Sequence, residues 1–259
     1  MVRRYGLRDD QWERIEGLLP GREGTVGVTA KDNRLFVEAV LYRYRAGIPW
    51  RDLPERFGPW KAVHTRFSRW SAGGVWESLF KALAADGDHE YAMMDSTIVR
   101  AHQHAAGARK GGQDTKEVRK QEAIGRSKGG LSTKIHAMVD ALGNPLDFIL
   151  IPGQACDLEG ADAFLPDLEA DALLADKAFD ADERVLKILE EKGIQAVIPP
   201  KSNRKEPREY DEELYKARHL IENFFLKLKQ FRAIATRYDK TARNFLGAIF
   251  LAGAYVWLN

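Results

Sequence analysis

The stretch Asp211-Glu-Glu-Leu-Tyr-Lys-Ala-Arg-His-Leu-Ile-Glu-Asn-Phe-Phe-Leu-Lys-Leu-Lys-Gln-Phe-Arg232 contains no Gly or Pro, opens on acids and closes on bases, the polarity a helix macrodipole favours. It predicts one helix of about six turns. Leu214, Ala217, Leu220, Ile221, Phe224, Phe225, Leu228 and Phe231 recur at steps of three and four, so one face is apolar and needs a core to pack on. Tyr215, Arg218, Glu222 and Lys229 follow one another at three, four and seven residues and share the opposite stripe. Alone, such a stripe is most simply a solvated face with an i,i+4 Arg–Glu pair. What gives it another meaning lies elsewhere in the chain.

The 259 residues, 44% of them apolar, suffice for one large domain or two smaller ones with buried cores. No run is long enough to span a bilayer, and Met1-Val-Arg-Arg-Tyr5 leads into polar sequence without an apolar leader. A cytoplasmic protein, nucleoid-associated when bound to DNA, is expected. The lone Cys156 excludes an internal disulfide and argues against a structural zinc site. The net charge of +2 hides a segregation of charge. From Arg100 to Lys134 there are nine bases (Arg100, Arg109, Lys110, Lys116, Arg119, Lys120, Arg126, Lys128, Lys134) against three acids (Asp114, Glu117, Glu122), and acids crowd Asp157 to Glu191.

Residues 1–85 read as all-helical. Trp12, Ile15, Leu18 and Leu19 predict a helix over Asp9 to Leu19, and Leu35, Phe36, Ala39, Val40 and Tyr44 one over Lys31 to Arg45, closed by Pro20 and Gly47. Arg51 to Arg56 and Trp60 to Trp70, separated by Phe57-Gly58-Pro59, outline a helix-turn-helix. Its second helix would expose Lys61, His64, Thr65, Arg66 and Arg69 to phosphates and base edges and bury Trp60, Val63, Phe67 and Trp70. The remaining tryptophans are expected in the core. Val75 to Leu83 is a last helix, and Ala84 to Asp88 a linker.

From Tyr91 the pattern turns to strands. Tyr91 to Asp95 is an apolar run ending in a carboxylate, and Leu131, Thr133, Ile135, Ala137 and Val139 alternate with Ser132, Lys134, His136 and Asp140. Gly143-Asn144-Pro145 turns into a strand over Leu146 to Ile151. Leu158 to Leu168 reads as helix, Ala172 to Asp176 as a second apolar run ending in Asp, Asp180 to Lys192 as helix and Ile194 to Ile198 as strand. The order predicts an α/β domain over residues 88–259, a mixed sheet with helices against it and a basic loop at about residues 100–130. Asp95 and Asp176 then end two strands, where open sheets place their sites.

Two strand-end aspartates and a helix glutamate, Asp95, Asp176 and Glu222, make a set of hard oxygen donors suited to Mg²⁺ or Mn²⁺ and not to zinc. Two ions held there would clamp the attacking and leaving oxygens of a phosphodiester, while bases such as Arg100, Arg126 and Lys128 neutralise a DNA backbone. Asp95-Ser-Thr, Ala175-Asp-Lys-Ala-Phe-Asp180 and Tyr215-x2-Arg218-x3-Glu222-x6-Lys229 resemble the DDE transposases of bacterial insertion sequences, with the Tyr-Arg-Glu-Lys signature of the third block complete. Within them the chain is most similar to the insertion-sequence-five family, through Trp50 to Gly58, Arg100-Ala-His-Gln-His104, Gly125 to Lys134 and Ile151-Pro-Gly-Gln154. The likeness covers nearly the whole chain. Where relatives carry Gly-Tyr in the second block, this chain has Ala178-Phe179.

The resemblance implies a ribonuclease H-like catalytic domain behind the small helical one, and cleavage of insertion-sequence ends with joining of the 3′-OH to target DNA. It also implies two Mg²⁺ ions per site, with Mn²⁺ as a substitute, and a homodimer on paired terminal inverted repeats. Asp95, Asp176 and Glu222 carry over as catalytic metal ligands, and Tyr215, Arg218 and Lys229 as contacts to the terminal nucleotides or scissile phosphate. Asp180 is expected to be a helix N-cap. His102 and His104 read as loop residues or phosphate contacts, Gly125 to Gly130 as a mobile basic loop that orders on DNA, and Asp147 and Asp157 as surface acids. A nuclease without strand transfer and a non-enzymatic DNA-binding protein are the rival classes; the intact acids and stripe speak against the second.

Overall fold

The structure, a computed structural model, describes residues 5–22, 24, 29–105 and 122–259. In chain order, helices α1 (Asp9–Glu16), α2 (Asn33–Ala46), α3 (Trp60–Ala72) and α4 (Val75–Ala84) precede strands β1 (Tyr91–Ala101), β2 (Gly125–Ser127), β3 (Gly130–Val139) and β4 (Pro145–Pro152). Then come α5 (Leu158–Phe164), β5 (Ala172–Ala175), α6 (Lys187–Lys192), β6 (Gln195–Val197), α7 (Glu212–Tyr215), α8 (His219–Lys229), α9 (Arg232–Ala235) and α10 (Ala242–Trp257). The described residues form two compact units. One comprises residues 5–85, 102–105 and 228–259, the other residues 86–101 and 122–227.

The first unit is helical and is centred on aromatic side chains. Trp70 lies 5.0 Å from Phe36 and 5.0 Å from Trp76, centroid to centroid, and Trp76 is buried. This unit also contains the carboxy-terminal segment, which a cut at residues 85–88 separates from the amino-terminal helices. The reason is visible in α10, whose run Phe245 to Ala254 is almost wholly apolar and buried. Phe250 meets Phe80 of α4 at 5.3 Å, and α10 approaches α3 so closely that a Cβ at Gly247 would sit 2.6 Å from Ser71 Oγ. Removing residues 1–85 would strip α10 of that cover, so the amino-terminal helices are not a detachable module.

The helix expected over Arg51 to Arg56 is absent. Two single 3₁₀ turns, Trp50–Asp52 and Glu55–Phe57, stand in its place, each entered from a proline. Pro54 lacks the amide a helix would use and drives Leu53 into extended backbone at ψ 126°. The predicted first helix of a helix-turn-helix therefore does not form.

The second unit is built on a mixed sheet in the order β2-β3-β1-β5-β6, with β4 also paired to β3. β1, β3 and β4 are successively antiparallel, whereas β5 pairs parallel with β1, and β6 parallel with β5. β1 does not stop at Asp95. It pairs with β3 from Met93 to Arg100, so Asp95 lies in mid-strand, with Asp95 opposite Ala137 and Ser96 opposite His136. Gly125 to Gly130, expected as a loop, is a tight hairpin in which Ser127 pairs with Gly130 and Gly130 takes φ +101°. The basic residues Arg109, Lys110, Lys116, Arg119 and Lys120 of the expected basic loop lie outside the described residues.

One sheet face carries Met94, Leu173 and Ala175 into a core with Phe164, Leu165, Phe179, Val185 and Leu189. On the other, Phe148 of β4 stacks on Phe224 of α8 at 5.7 Å. Polar groups also enter the first face. Ser96 Oγ donates to Asp157 Oδ1 at 2.7 Å, and the buried Lys134 donates to the same oxygen at 2.9 Å and to Ala155 O at 2.8 Å. Asp157 is thus an internal anchor and no simple surface acid, and Lys134 is spent on it instead of being offered to DNA. His136 beside them is fully buried, with neither ring nitrogen hydrogen-bonded and Nε2 3.6 Å from Asp157.

Burial, opposed by Asp157 and aided by Lys134, lowers the His136 pKa to about 4. Between about pH 4 and 6.5 the unfolded chain binds a proton at this imidazole that the folded chain refuses, so folding stability falls as pH drops through that window. The loss reaches about 3 kcal/mol. Thermal melts from pH 7 to pH 4.5 are expected to show this slope in the native chain and a shallower one in His136→Gln; parallel slopes would exclude His136 as its source.

Candidate active site

Parallel pairing sets Met94 of β1 opposite Ala175 of β5, so the next residue on each strand, Asp95 and Asp176, falls side by side. Alternation turns both away from the face that holds Met94 and Ala175, towards the side on which α8 packs. β5 ends at Ala175, and Asp176 turns the chain, its Oδ1 accepting from Ala178 N at 2.8 Å.

The helical segment that faces them is not one regular helix. α7 ends at Tyr215, Lys216–Arg218 form a 3₁₀ turn, and α8 begins at His219. The imidazole Nδ1 of His219 lies 2.8 Å from Lys216 O, a local side-chain bond to the carbonyl of the tightened turn. Arg218 sits on that turn. Its Nη2 donates to Asp95 Oδ2 at 2.7 Å and its Nη1 to Glu222 Oε1 at 2.7 Å. The Arg218 and Asp95 side chains are 17% and 15% exposed, that of Glu222 58%, so the pair with Asp95 is the shielded one.

The electrostatics follow from this crowding. Burial pushes the Asp95 carboxyl above its ordinary range, Asp176 and Glu222 push the same way, and Ser96 N–H and Arg218 oppose them. Burial likewise raises the half-buried Tyr215 phenol, with Asp176 and Asp95 adding to it and Arg218 opposing. Burial works against the Arg218 charge, yet Asp95, Tyr215, Glu222 and Asp176 together hold its pKa above the ordinary value. Asp95, Asp176, Glu222, Arg218 and Tyr215 therefore share one electrostatic site. The donors are hard oxygens, the chemistry a divalent cation of the magnesium class selects. As the side chains stand, no three described acids or histidines are grouped to hold one ion, and the guanidinium of Arg218 bonds both Asp95 and Glu222.

Asp180 has a different role from the N-cap expected of it. It is 4% exposed and receives Arg204 Nε and Nη2 at 2.9 and 2.8 Å and Lys201 N at 2.8 Å, and its pKa is lowered because those bonds outweigh its burial. It ties down the loop after β6. Sequence spacing gave no sign of this, since the partners lie 21 and 24 residues away. Asp147 accepts from Phe148 N at 2.7 Å.

The residues expected to touch DNA fall into two groups. Lys61, Thr65 and Arg69 are exposed on α3, bordering a groove of about 620 Å³. Two others are engaged within the fold: His64 packs on Trp50 at 5.2 Å, and Arg66 bonds Asn33 while lying over Phe36 and Trp70 at 4.3 and 4.7 Å. Arg100, Arg126 and Lys128 are exposed on the sheet unit, and Lys229 is half-buried at the end of α8. His102 stacks on Tyr238 at 4.9 Å and meets His104 edge-on at 4.6 Å.

Comparison with known proteins divides the chain between residues 80 and 86. Residues 7–80 match the family described as "Putative transposase of IS4/5 family", and residues 86–257 the family described as "Transposase DDE domain". A protein of Brucella ovis named "Putative transposase for insertion sequence element IS6501" is 40% identical over 125 residues, 48% of this chain and 96% of that one. "Uncharacterized protein y4sN" of Sinorhizobium fredii is 55% identical over 112 residues, 42% of this chain and 88% of its own. An "Insertion element IS402 uncharacterized 16.2 kDa protein" of Burkholderia cepacia is 36% identical over 107 residues, 37% of this chain and 73% of that one. No solved structure matches the chain significantly.

The two second-block aspartates are separable by stability. Asp180→Asn leaves the buried end of the Arg204 fork on a neutral partner, with only the exposed Asp182 still paired to it, and is expected to cost about 1–3 kcal/mol, read as an earlier urea midpoint. Asp176→Asn, half-exposed and bonded only locally, is expected to melt within about 0.5 kcal/mol of the native chain. Equal losses would mean that Asp180 is not the anchor.

Proposed function

The chain belongs to the DDE transposases of insertion sequences, and from that premise we propose that Asp95, Asp176 and Glu222 are its catalytic carboxylates. The observation that carries the proposal is that Asp95 of β1 and Glu222 of α8 bond the same guanidinium, Arg218, while parallel pairing of β1 with β5 brings Asp176 beside Asp95. The strand order, three antiparallel strands followed by two parallel to the first, supports a ribonuclease H-like catalytic domain.

On this reading the three carboxylates hold two Mg²⁺ ions, with Mn²⁺ able to substitute. When bound, the ions supply a polarised nucleophile and charge neutralisation at the scissile phosphate. The protein's own residues do the rest. Tyr215 and Arg218 receive the phosphate and terminal nucleotide at the end of an insertion sequence, and Lys229 adds a cation further along α8. Water attacks phosphorus at the end, the 3′ oxygen leaves as a hydroxyl, and that hydroxyl then attacks a phosphodiester of the target, expelling its 3′ oxygen. Arg100, Arg126 and Lys128 neutralise backbone charge, and residues 1–85 recognise the terminal inverted repeat through Lys61, Thr65 and Arg69 on α3. A homodimer would pair two ends. Among the described residues no helix is long and apolar enough to cross a membrane.

Two measurements test this. With a labelled end carrying a free 3′-OH and a supercoiled target, the native chain is expected to give joined products in Mg²⁺ or Mn²⁺, and Glu222→Gln to lose cleavage and joining by at least about 10³-fold while binding ends as well as before. Nicking without joining would indicate a nuclease, and normal cleavage by Glu222→Gln would remove the triad assignment. In the full-length chain, Lys61→Ala with Arg69→Ala is expected to weaken end binding by about 1–3 kcal/mol and to lower its salt dependence by about two counterions. An unchanged salt slope would place DNA elsewhere.

A further inference from the structure

Arg218 holds one oxygen of each of two carboxylates that would face a cation at this site. Nη2 takes Asp95 Oδ2 and Nη1 takes Glu222 Oε1, each at 2.7 Å, while the other Asp95 oxygen, Oδ1, accepts from Ser96 N at 2.7 Å. Both oxygens of Asp95 are therefore engaged. An ion can bind Asp95 only by displacing a donor or by sharing its lone pairs. Ser96 N belongs to β1 in the middle of its pairing with β3 and is fixed by the sheet. Arg218 instead reaches Asp95 through a long side chain whose rotamers, unlike the backbone amide, the sheet does not fix.

Resting on the reading that Asp95, Asp176 and Glu222 hold a divalent cation, we infer that Arg218 is the resident counter-ion of the site, bridging Asp95 and Glu222 in the cation-free protein and released from them when a cation enters. A planar guanidinium presents two forward amines, one to each carboxylate, whereas an ammonium, on a side chain of shorter reach, is a single point charge without that fork. Arg218 Nε is buried without a hydrogen-bond partner, so the bridging pose leaves one of its donors unsatisfied. Without the bridge, Asp95, Asp176 and Glu222 would face each other uncompensated. The exchange also couples two ligands. A cation that takes the carboxylates frees the guanidinium for an incoming phosphate, and by linkage the phosphate that captures Arg218 favours the cation. Arg218 is in this sense a positioning residue that sets cation affinity.

The test uses the full-length chain, Mn²⁺ alone without DNA, and two readouts: free Mn²⁺ by electron paramagnetic resonance, and the thermal midpoint. Arg218→Met removes the charge; Arg218→Lys keeps it but loses the two-amine fork and the reach that hold one oxygen of each carboxylate. Arg218→Met is expected to bind Mn²⁺ about tenfold more tightly than the native chain and Arg218→Lys at least about threefold more tightly. Both variants are expected to melt earlier without metal and to gain more from Mn²⁺ than the native chain gains. Should Arg218→Met not fold, Arg218→Lys carries the test. Native affinity in Arg218→Lys would show that charge repulsion and not bridging opposes the ion, and would overturn the inference, as would native affinity in both. Glu222→Gln distinguishes the underlying reading: if it binds Mn²⁺ as the native chain does, the ion is not at these carboxylates, and the inference falls with the assignment. If Glu222→Gln loses Mn²⁺ and the Arg218 variants gain nothing, the assignment stands and the inference alone is lost.

Discussion

Parallel pairing of β1 with β5 forces two aspartates onto adjacent strands, on one face, in a partly buried place. Burial raises the cost of ionising Asp95, and the like charge of Asp176 adds to it. The surrounding structure answers that cost. A backbone amide at Ser96 and a guanidinium from the facing helical segment both reach Asp95, and the 3₁₀ turn at Lys216–Arg218 delivers the guanidinium. Regular helix through that point would advance Arg218 by a different angle and rise, since a 3₁₀ turn climbs about 2.0 Å per residue instead of 1.5 Å. The break in the helix is thus part of how the carboxylates are compensated.

The opposite face of the same strand residues carries a second polar arrangement. Ser96 follows Asp95 and points the other way, where its hydroxyl bonds Asp157, which also takes Lys134 from β3. The dipeptide is thereby fixed from both faces: Asp95 through its own next amide and Arg218, Ser96 through Asp157. Gly160 in α5 permits this packing, because a Cβ there would collide with the ring of His136. An apolar pair would fill the space with less desolvation. The ionic arrangement instead gives directional bonds to two neighbouring strands next to a carboxylate whose position matters.

Much of this was legible in the sequence because it is periodic or closely spaced. Alternation from Leu131 to Val139 located β3, apolar runs before Asp95 and Asp176 located the two aspartates, and the i,i+4 interval of Arg218 and Glu222 is a local contact that helix geometry dictates. Features set by distant partners were hidden. Nothing near Asp180 announces Arg204, and Lys134 and Asp157 each looked like solvated charges until the fold brought them together across 23 residues. Asp95 read as a strand end because the apolar run stops there, but strand length is set by the partner, and β3 continues to pair as far as Arg100. The prolines at 49, 54 and 59 were visible all along. Their spacing of five leaves too few residues between them for a helix, which outweighs the helix-turn-helix outline drawn from the glycine alone.

The carboxy-terminal segment shows why motif order and physical units differ. Motifs follow the chain, so everything after Tyr91 reads as one domain that contains the catalytic residues. Cores follow burial. α10 presents apolar side chains on nearly every side, as a helix must when it is enclosed by others. In the helical unit α3 and α4 supply that enclosure, and the missing side chain at Gly247 lets the axes close. α8 accordingly begins in the unit that holds Asp95 and Asp176 and ends, at Leu228 and Lys229, in the unit that holds α10.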